Sequence, residues 1–131
     1  MRKFPDAVLA CRLLQIFWIL LAVFHILLLF HVLPMRIAWG GRITRSSQGI
    51  LLESTALLIT VLFLAIVSVK LHLIRVKKKN HVIRAGIWII FAYLLLNTVG
   101  NLASAVSSEK LIFAPLTLMM SLLALRLAVE K

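Results

Sequence analysis

Four long apolar segments alternate with short polar ones along this chain. They cover about residues 8–33, 50–74, 83–105 and 111–129, and each approaches or exceeds the roughly 20 residues that a helix needs to cross a bilayer. Hydrocarbon offers no partners to backbone N–H and C=O groups, and the period-two alternation of barrel strands is missing, so helices are predicted. The pattern therefore predicts an all-α integral membrane protein, a four-transmembrane-helix bundle formed by a single domain over residues 1–131.

The polar connections between these segments differ in length. Residues 75–80 (RVKKKN) and 107–110 (SSEK) are short. This predicts antiparallel packing of the second helix on the third and of the third on the fourth. The connection over residues 34–49, PMRIAWGGRITRSSQG, is much longer. Because connections of that length are often functional, a structured outer loop is predicted there.

The basic residues are distributed unequally over the two ends of the predicted bundle. Of the fifteen Lys and Arg, those on the side of the 34–49 loop are Arg36, Arg42, Arg45 and Lys110. The other eleven lie toward the two termini and the 75–80 connection. Cytoplasmic connections of membrane proteins carry an excess of Lys and Arg. Both the N and C termini are therefore predicted to be cytoplasmic, and the 34–49 loop to face outward.

Composition narrows the expected partners and cofactors. The chain is 63% hydrophobic and its formal net charge is +11. Aromatic and basic residues do not interleave in any long polar segment, so the lipid bilayer and its anionic headgroups are the expected partners, and no nucleic acid. The single cysteine, Cys11, excludes an intramolecular disulfide. His25 and His31 face different sides of one helix without a partner histidine at their depth, so no metal, haem or other cofactor is expected.

Polar side chains interrupt the apolar segments in the half of the bundle nearest the outer loop. Counted at about 1.5 Å of rise per residue from the outer helix ends, His25 and Asn97 lie roughly 12 Å deep, and Glu53 and Asn101 roughly 6 Å. Polar groups at such depths usually face the bundle interior or a cavity. These four residues are predicted to line an outward-facing pocket, with His31 at its rim.

The third and fourth helices carry stripes of polar or small residues. Asn97, Asn101 and Ser104 are spaced i, i+4 and i+7 and so share one face of the third helix. Gly100, beside them, is expected to permit the close approach of another helix. On the fourth helix a small-residue stripe predicts tight packing. Its members are Thr117, Ser121, Ala124 and Ala128.

The loop tetrapeptide Trp39-Gly40-Gly41-Arg42 adds Trp39 and Arg42 to the candidate ligand-binding residues. Its structural interpretation is an interfacial Trp, a Gly-Gly turn and an Arg on headgroup phosphate. Its functional interpretation is that Arg42 and the neighbouring arginines are kept outside as partners of Glu53, or to attract an anionic substrate. Both interpretations stay open.

The pocket residues have the same two interpretations. Asn97 and Asn101 either contact a ligand or only hydrogen-bond between helices, and His25 either serves a ligand or a proton, or only packs. Glu53 is the strongest single candidate, because it is an acid inside an apolar segment. An acid in the first turn is, however, also favoured by the helix dipole.

Three functions are compatible with these residues. The first is a small membrane protein whose outward-facing pocket binds or translocates a small ion or solute, as a homo-oligomer because four short helices enclose little volume. The second is an integral membrane enzyme, isomerase-like or lipid-modifying, with Glu53 and His25 or His31 as acid and base. The third is a non-catalytic helper or assembly subunit. No nucleophile triad or phosphate-binding loop is present, so the non-enzymatic functions are favoured.

Three segments and one further residue carry most of the polar and glycine residues described above. The segments are AWGGRI at 38–43, LNTVGNLAS at 96–104 and FAPLTL at 113–118, and the residue is Glu53 in the second helix. Together they resemble a group of uncharacterised small four-helix bacterial membrane proteins, over about residues 34–126. The resemblance implies one recurring pattern and no particular activity. With the charge distribution, it implies a multi-pass protein of the bacterial inner (cytoplasmic) membrane.

Overall fold

The computed structural model of the protein describes residues 6–34, 37–39 and 46–130. Four α-helices make up most of this part of the chain: α1 (Ala7–Leu29), α2 (Ser46–Arg75), α3 (His81–Leu102) and α4 (Ala114–Ala128). A π-helical turn, Glu109–Phe113, leads directly into α4. No strand occurs in the described ranges.

The predicted fold class is confirmed. Each of α1, α2, α3 and the continuous helix Glu109–Ala128 is long and apolar enough to cross a membrane, with mean hydropathies between 1.8 and 2.5. Large apolar side chains on their outer faces are exposed, among them Leu20, Leu58 and Leu96. In water such surface would be unfavourable, whereas in a bilayer it contacts lipid. The chain is thus a multi-pass membrane protein with a four-helix bundle.

The helices form a ring in chain order. α1 packs extensively on α2, and α3 on α4, while α1 also contacts α4 and α2 also contacts α3. We call the end of the bundle with the connection between α1 and α2 the loop end, and the opposite end, with both termini, the terminal end. The predicted small-residue stripe of α4 is buried from Thr117 to Ala128, so it packs inside the bundle.

The α2–α3 interface is tight at the terminal end. A Cβ added at Gly86 would lie 3.1 Å from Cγ2 of Ile66, so this glycine lets the two helices approach closely. The corresponding expectation for Gly100 is wrong. Gly100 is exposed, and an added Cβ would meet no atom within 4 Å. The close contact is therefore made at Gly86, in a part of α3 that faces a partner helix.

α1 ends four residues before the apolar segment does. The N–H of His31 bonds to the C=O of Leu28 at 3.1 Å, and that of Val32 to Leu27 at 2.9 Å. His31 itself has a φ of 56°. This is a Schellman motif with His31 in the left-handed position that closes a helix. It turns the chain away before Pro34, so α1 stops at Leu29.

A continuous apolar core fills the terminal half of the bundle. Leu14, Val67, Ile90 and Leu127 are each completely or almost completely buried within it. Toward the loop end the core finishes in a layer of aromatic rings. Polar side chains occupy the space beyond that layer.

Candidate functional site

Glu53 is the centre of the polar half of the bundle. Its side chain is 0% exposed. Oε2 lies 2.5 Å from Nδ1 of His25 on α1, and Oε1 accepts a hydrogen bond from the indole N–H of Trp39 in the loop. Removing an unpaired carboxylate from water costs several kcal/mol of desolvation free energy. The two donors therefore account for the burial of Glu53.

The true helix ends explain how His25 and Glu53 meet. Because α1 ends at Leu29 and α2 begins at Ser46, His25 lies about 6 Å and Glu53 about 10 Å from the respective helix ends. The ends of the apolar segments had predicted the reverse, with His25 deeper than Glu53. The revised depths differ by less than one helical turn, and this allows the side chains to touch.

Trp39 reaches Glu53 from a strained backbone. Its φ is 57°, a left-handed conformation that costs a non-glycine residue about 1–2 kcal/mol. Ile37 is held by a 3.2 Å bond from its N–H to the C=O of Pro34, and Ala38 is buried. The segment 37–39 is thus fixed against the bundle, with the Trp39 indole over the Glu53 carboxylate.

A cleft of about 610 Å³ opens beside this cluster. Residues of all four helices line it, and the polar and aromatic ones include His25, Trp39, Glu53, Tyr93, Asn97 and Asn101. Leu96, which lies at its edge, is 72% exposed, so the cleft reaches the outer surface of α3. The structure thus brings five of the predicted site residues together at one cavity.

The two asparagines face the cleft and not another helix. Nδ2 of Asn97 donates to the C=O of Tyr93, one turn earlier on α3, at 2.8 Å. Within residues 6–34, 37–39 and 46–130, neither Asn97 nor Asn101 hydrogen-bonds to a different helix through its side chain. The described structure therefore shows no hydrogen bond from either amide side chain that would join two helices.

Other polar residues make the interhelical bonds. Thr98 donates to Thr117 across the α3–α4 interface at 2.9 Å, and Gln15 donates to Ser68 across the α1–α2 interface at 3.0 Å. Thr98 lies next to Asn97 in the chain, one position round the helix, which turns it into the bundle. Nothing in the pattern of polar residues along the sequence distinguishes Thr98 from its neighbours.

Glu109 is a second buried acid at the cleft, and it was not among the site residues predicted from the sequence. It is 8% exposed, lines the cleft and accepts a hydrogen bond from the hydroxyl of Ser104. The Ser104 oxygen also accepts the N–H of Val106 at 3.0 Å, which bends the connection back over the bundle. In the sequence Glu109 belongs to the short polar connection 107–110. It is not surrounded by apolar residues, so the hydrophobic pattern does not predict that it is buried.

The floor of the cleft carries an unpaired donor. The side chain of Trp18 is completely buried, and its indole N–H has no hydrogen-bond partner in the described parts of the chain. An unsatisfied buried donor costs about 1–3 kcal/mol. Trp18 is also among the residues that line the cleft.

The remaining predicted site residues lie elsewhere. His31 closes α1 with an exposed ring and is not part of the cleft lining. Arg42 lies outside the described residues. Among those that are described, no three His, Cys, Asp or Glu side chains are grouped closely enough to hold a metal ion.

Comparison with protein-family models, with curated proteins and with solved structures finds no match for this chain. The geometry of the cleft is therefore the basis of the functional argument.

Proposed function

We propose that this protein binds a small, mostly apolar solute in the cleft at the loop end of the bundle. The observation that carries the proposal is the buried Glu53 carboxylate, held by His25 and Trp39 at the wall of a cleft of about 610 Å³. Ligand sites in proteins are typically clefts of about 300–1,000 Å³ with apolar walls and a few placed polar groups. The cleft has this size and this lining.

The lining indicates the chemistry of the solute. Two acidic residues, Glu53 and Glu109, border the cleft, which favours a neutral or cationic solute. The side-chain amides of Asn97 and Asn101 line the cleft as well. A hydroxyl or amide group on the solute can hydrogen-bond to such amides. Aromatic walls, including Phe24 and Phe113 with ring centroids 5.5 Å apart, suit an apolar body.

The closed floor favours binding over free passage. Trp18 meets Phe63 edge-to-face at 5.3 Å, and Phe63 meets Tyr93 at 5.1 Å. The packed core lies directly beyond these rings. Translocation would therefore require the floor to open, or several copies of the chain to form a path between them. Homo-oligomerisation is therefore proposed only if the protein translocates the solute, and binding alone does not require it.

The distribution of basic residues supports an orientation. The terminal end carries Lys77, Lys78 and Lys79 together with both chain ends. We therefore place the terminal end in the cytoplasm and the cleft on the outer side of a bacterial inner membrane.

Cysteine labelling tests whether the cleft is accessible to water. Cys11 is the single cysteine of the chain, so a Cys11→Ala background leaves one introduced thiol at a time. Asn97→Cys is expected to react rapidly with a water-soluble methanethiosulfonate bearing a trimethylammonium group. Leu95→Cys is the matched control, because it lies at nearly the same depth on a face of α3 that does not line the cleft. Failure of both positions to react would contradict the proposal.

Thermal unfolding in detergent tests solute binding. A panel of small amphiphilic alcohols, amides and amines is expected to contain members that stabilise the native protein. Their effect should be lost in Asn97→Ala and Asn101→Ala and kept in Trp88→Phe, whose indole lies outside the cleft. If no member stabilises the native protein, or if all variants respond alike, the cleft is not a binding site.

The contact between His25 and Glu53 supports a second candidate function. With 2.5 Å between Nδ1 and Oε2, the pair can hold one proton and move it between the two atoms, as an acid–base enzyme acting on a lipid-like substrate requires. Incubation with a total lipid extract followed by mass spectrometry tests this function. Conversion by the native protein and not by Glu53→Gln would support it. Absence of both conversion and binding would leave the assembly-subunit function.

A further inference from the structure

A second cavity, of about 360 Å³, lies at the terminal end of the bundle, opposite the cleft. The end of α2, the start of α3 and the end of α4 enclose it. Its charged lining consists of Lys70, Lys77, Lys78, Lys79, Arg84 and Glu130. The carboxylate of Glu130 accepts a hydrogen bond from Arg126 and also interacts electrostatically with Lys70, so the described lining holds five cations beside one carboxylate.

The lysines of this cavity belong to a well-ordered turn. The N–H of Lys78 bonds to the C=O of Leu73 at 2.9 Å, and that of Lys77 to Ile74 at 3.2 Å. These two bonds form a Schellman motif that closes α2. Asn80 then caps α3 by accepting the N–H groups of the first helical turn. The connection is therefore fixed at both ends, and its lysines are positioned by the backbone.

Lys77 occupies a backbone position that favours glycine. Its φ is 54°, and it holds the left-handed residue of the Schellman motif, where glycine is the usual choice. A lysine there is conformationally disfavoured. A residue other than glycine at such a position can be retained for what its side chain contributes. At this cavity the contribution is a positive charge.

Arg84 adds an oriented guanidinium. Its Nε donates to the C=O of Ala128 at 3.1 Å, which ties α3 to the end of α4 and fixes the guanidinium plane. Because Asn80 already occupies the N–H groups of Val82 and Ile83, the cationic side chains and not the helix N-terminus are the donors for an anion. Like charges grouped in this way repel one another, and an anion relieves that repulsion.

From these features we propose that the cavity at the terminal end binds a phosphate group. Lys70 lies five residues before the end of α2, so the cations of the cavity span about 8 Å along the helix axis. The phosphate belongs either to an anionic lipid headgroup or to a soluble phosphate compound. Both share the chemistry that lysine and arginine recognise. This site is independent of the cleft and of the function proposed for it.

Native mass spectrometry of the full chain in neutral detergent tests the proposal. Dioleoyl phosphatidylglycerol is titrated against the protein, with phosphatidylcholine as the zwitterionic comparison and pyrophosphate as the soluble competitor. The test variant is Lys77→Gly with Lys78→Gln, since glycine suits the left-handed position and preserves the turn. The control variant is Arg75→Gln with Lys110→Gln, which removes the same charge from residues that do not line the cavity.

The native protein is expected to prefer phosphatidylglycerol over phosphatidylcholine. The test variant is expected to bind phosphatidylglycerol about thirtyfold more weakly, because this is the loss of affinity that corresponds to removing two basic residues from an anionic surface. The control should change about twofold or less. Competition by pyrophosphate would assign the site to soluble phosphates, and its absence to the lipid headgroup. Equal weakening in both variants, or a test variant that binds like the native chain, would overturn the proposal. A second pair, Lys79→Gln against Arg75→Gln, repeats the comparison should the test variant fail to fold.

Discussion

Nδ1 of His25 and Oε2 of Glu53 lie 2.5 Å apart across the interface of α1 and α2. The carboxylate is inaccessible to solvent, and the indole N–H of Trp39 occupies its other oxygen. One acid thus joins two helices and the loop between them. Because both donors are partly withdrawn from water, removing the acid leaves two unsatisfied groups as well as a gap.

The first prediction concerns this acid. Glu53→Leu should lower the free energy of unfolding by about 3–5 kcal/mol, because it breaks a buried pair and strands both donors. Glu53→Gln keeps an acceptor for Trp39 and should cost only about 1 kcal/mol. Thermal unfolding in detergent, followed by circular dichroism, measures both. Glu130→Gln, which breaks a partly exposed pair with Arg126, is the control and should cost about 0–1 kcal/mol.

The second prediction concerns the loop donor. Trp39→Phe keeps an aromatic ring and removes the N–H, so Oε1 of Glu53 loses its partner and stability should fall by about 1–3 kcal/mol. Trp88→Phe makes the same chemical change at a half-exposed position of α3 and should alter stability by about 0.5 kcal/mol or less. Chemical or thermal unfolding compares them. Similar losses at the two positions would show that the hydrogen bond to Glu53 contributes nothing.

The third prediction separates packing from ligand contact in α3. Thr98→Val removes the bond to Thr117 and should destabilise the bundle by about 0.6–2 kcal/mol, the range measured for hydrogen bonds between membrane helices. Asn97→Ala should cost less, because its amide bonds only to its own helix, and should weaken solute binding instead. The midpoint of thermal unfolding decides the order. A larger loss for Asn97→Ala than for Thr98→Val would make the asparagine a packing residue.

The fourth prediction compares two glycines of the same helix. Gly100→Ala adds a methyl group in open space and should raise stability by about 0.5–1 kcal/mol, the usual gain of alanine over glycine inside a helix. Gly86→Val forces side-chain carbons against Ile66 and should cost about 1–3 kcal/mol. The free energies of unfolding of the two variants and the native protein, measured in parallel in the same detergent, provide the comparison. The reverse order would mean that α2 and α3 approach at Gly100.

The cleft was partly predictable because helical geometry relates residues three or four positions apart. Asn97 and Asn101 share a face whatever the rest of the chain does, and the structure places that face on the cleft. The depth of His25 was not predictable in the same way. Nothing in the hydrophobic pattern marks Leu29 as the end of α1, since the left-handed conformation of His31 ends the helix inside an apolar segment.

The sequence by itself determined the four membrane-crossing helices, because a bilayer leaves an apolar segment of about 20 residues no other way to pair its backbone. Only the tertiary structure decided which polar groups meet. Trp39 reaches Glu53 through the path of a loop that has no periodicity, and Glu109 is buried because a connection folds back on Ser104. Thr98, and not its neighbour Asn97, joins α3 to α4, since one position along a helix rotates a side chain by about 100° and changes what it faces.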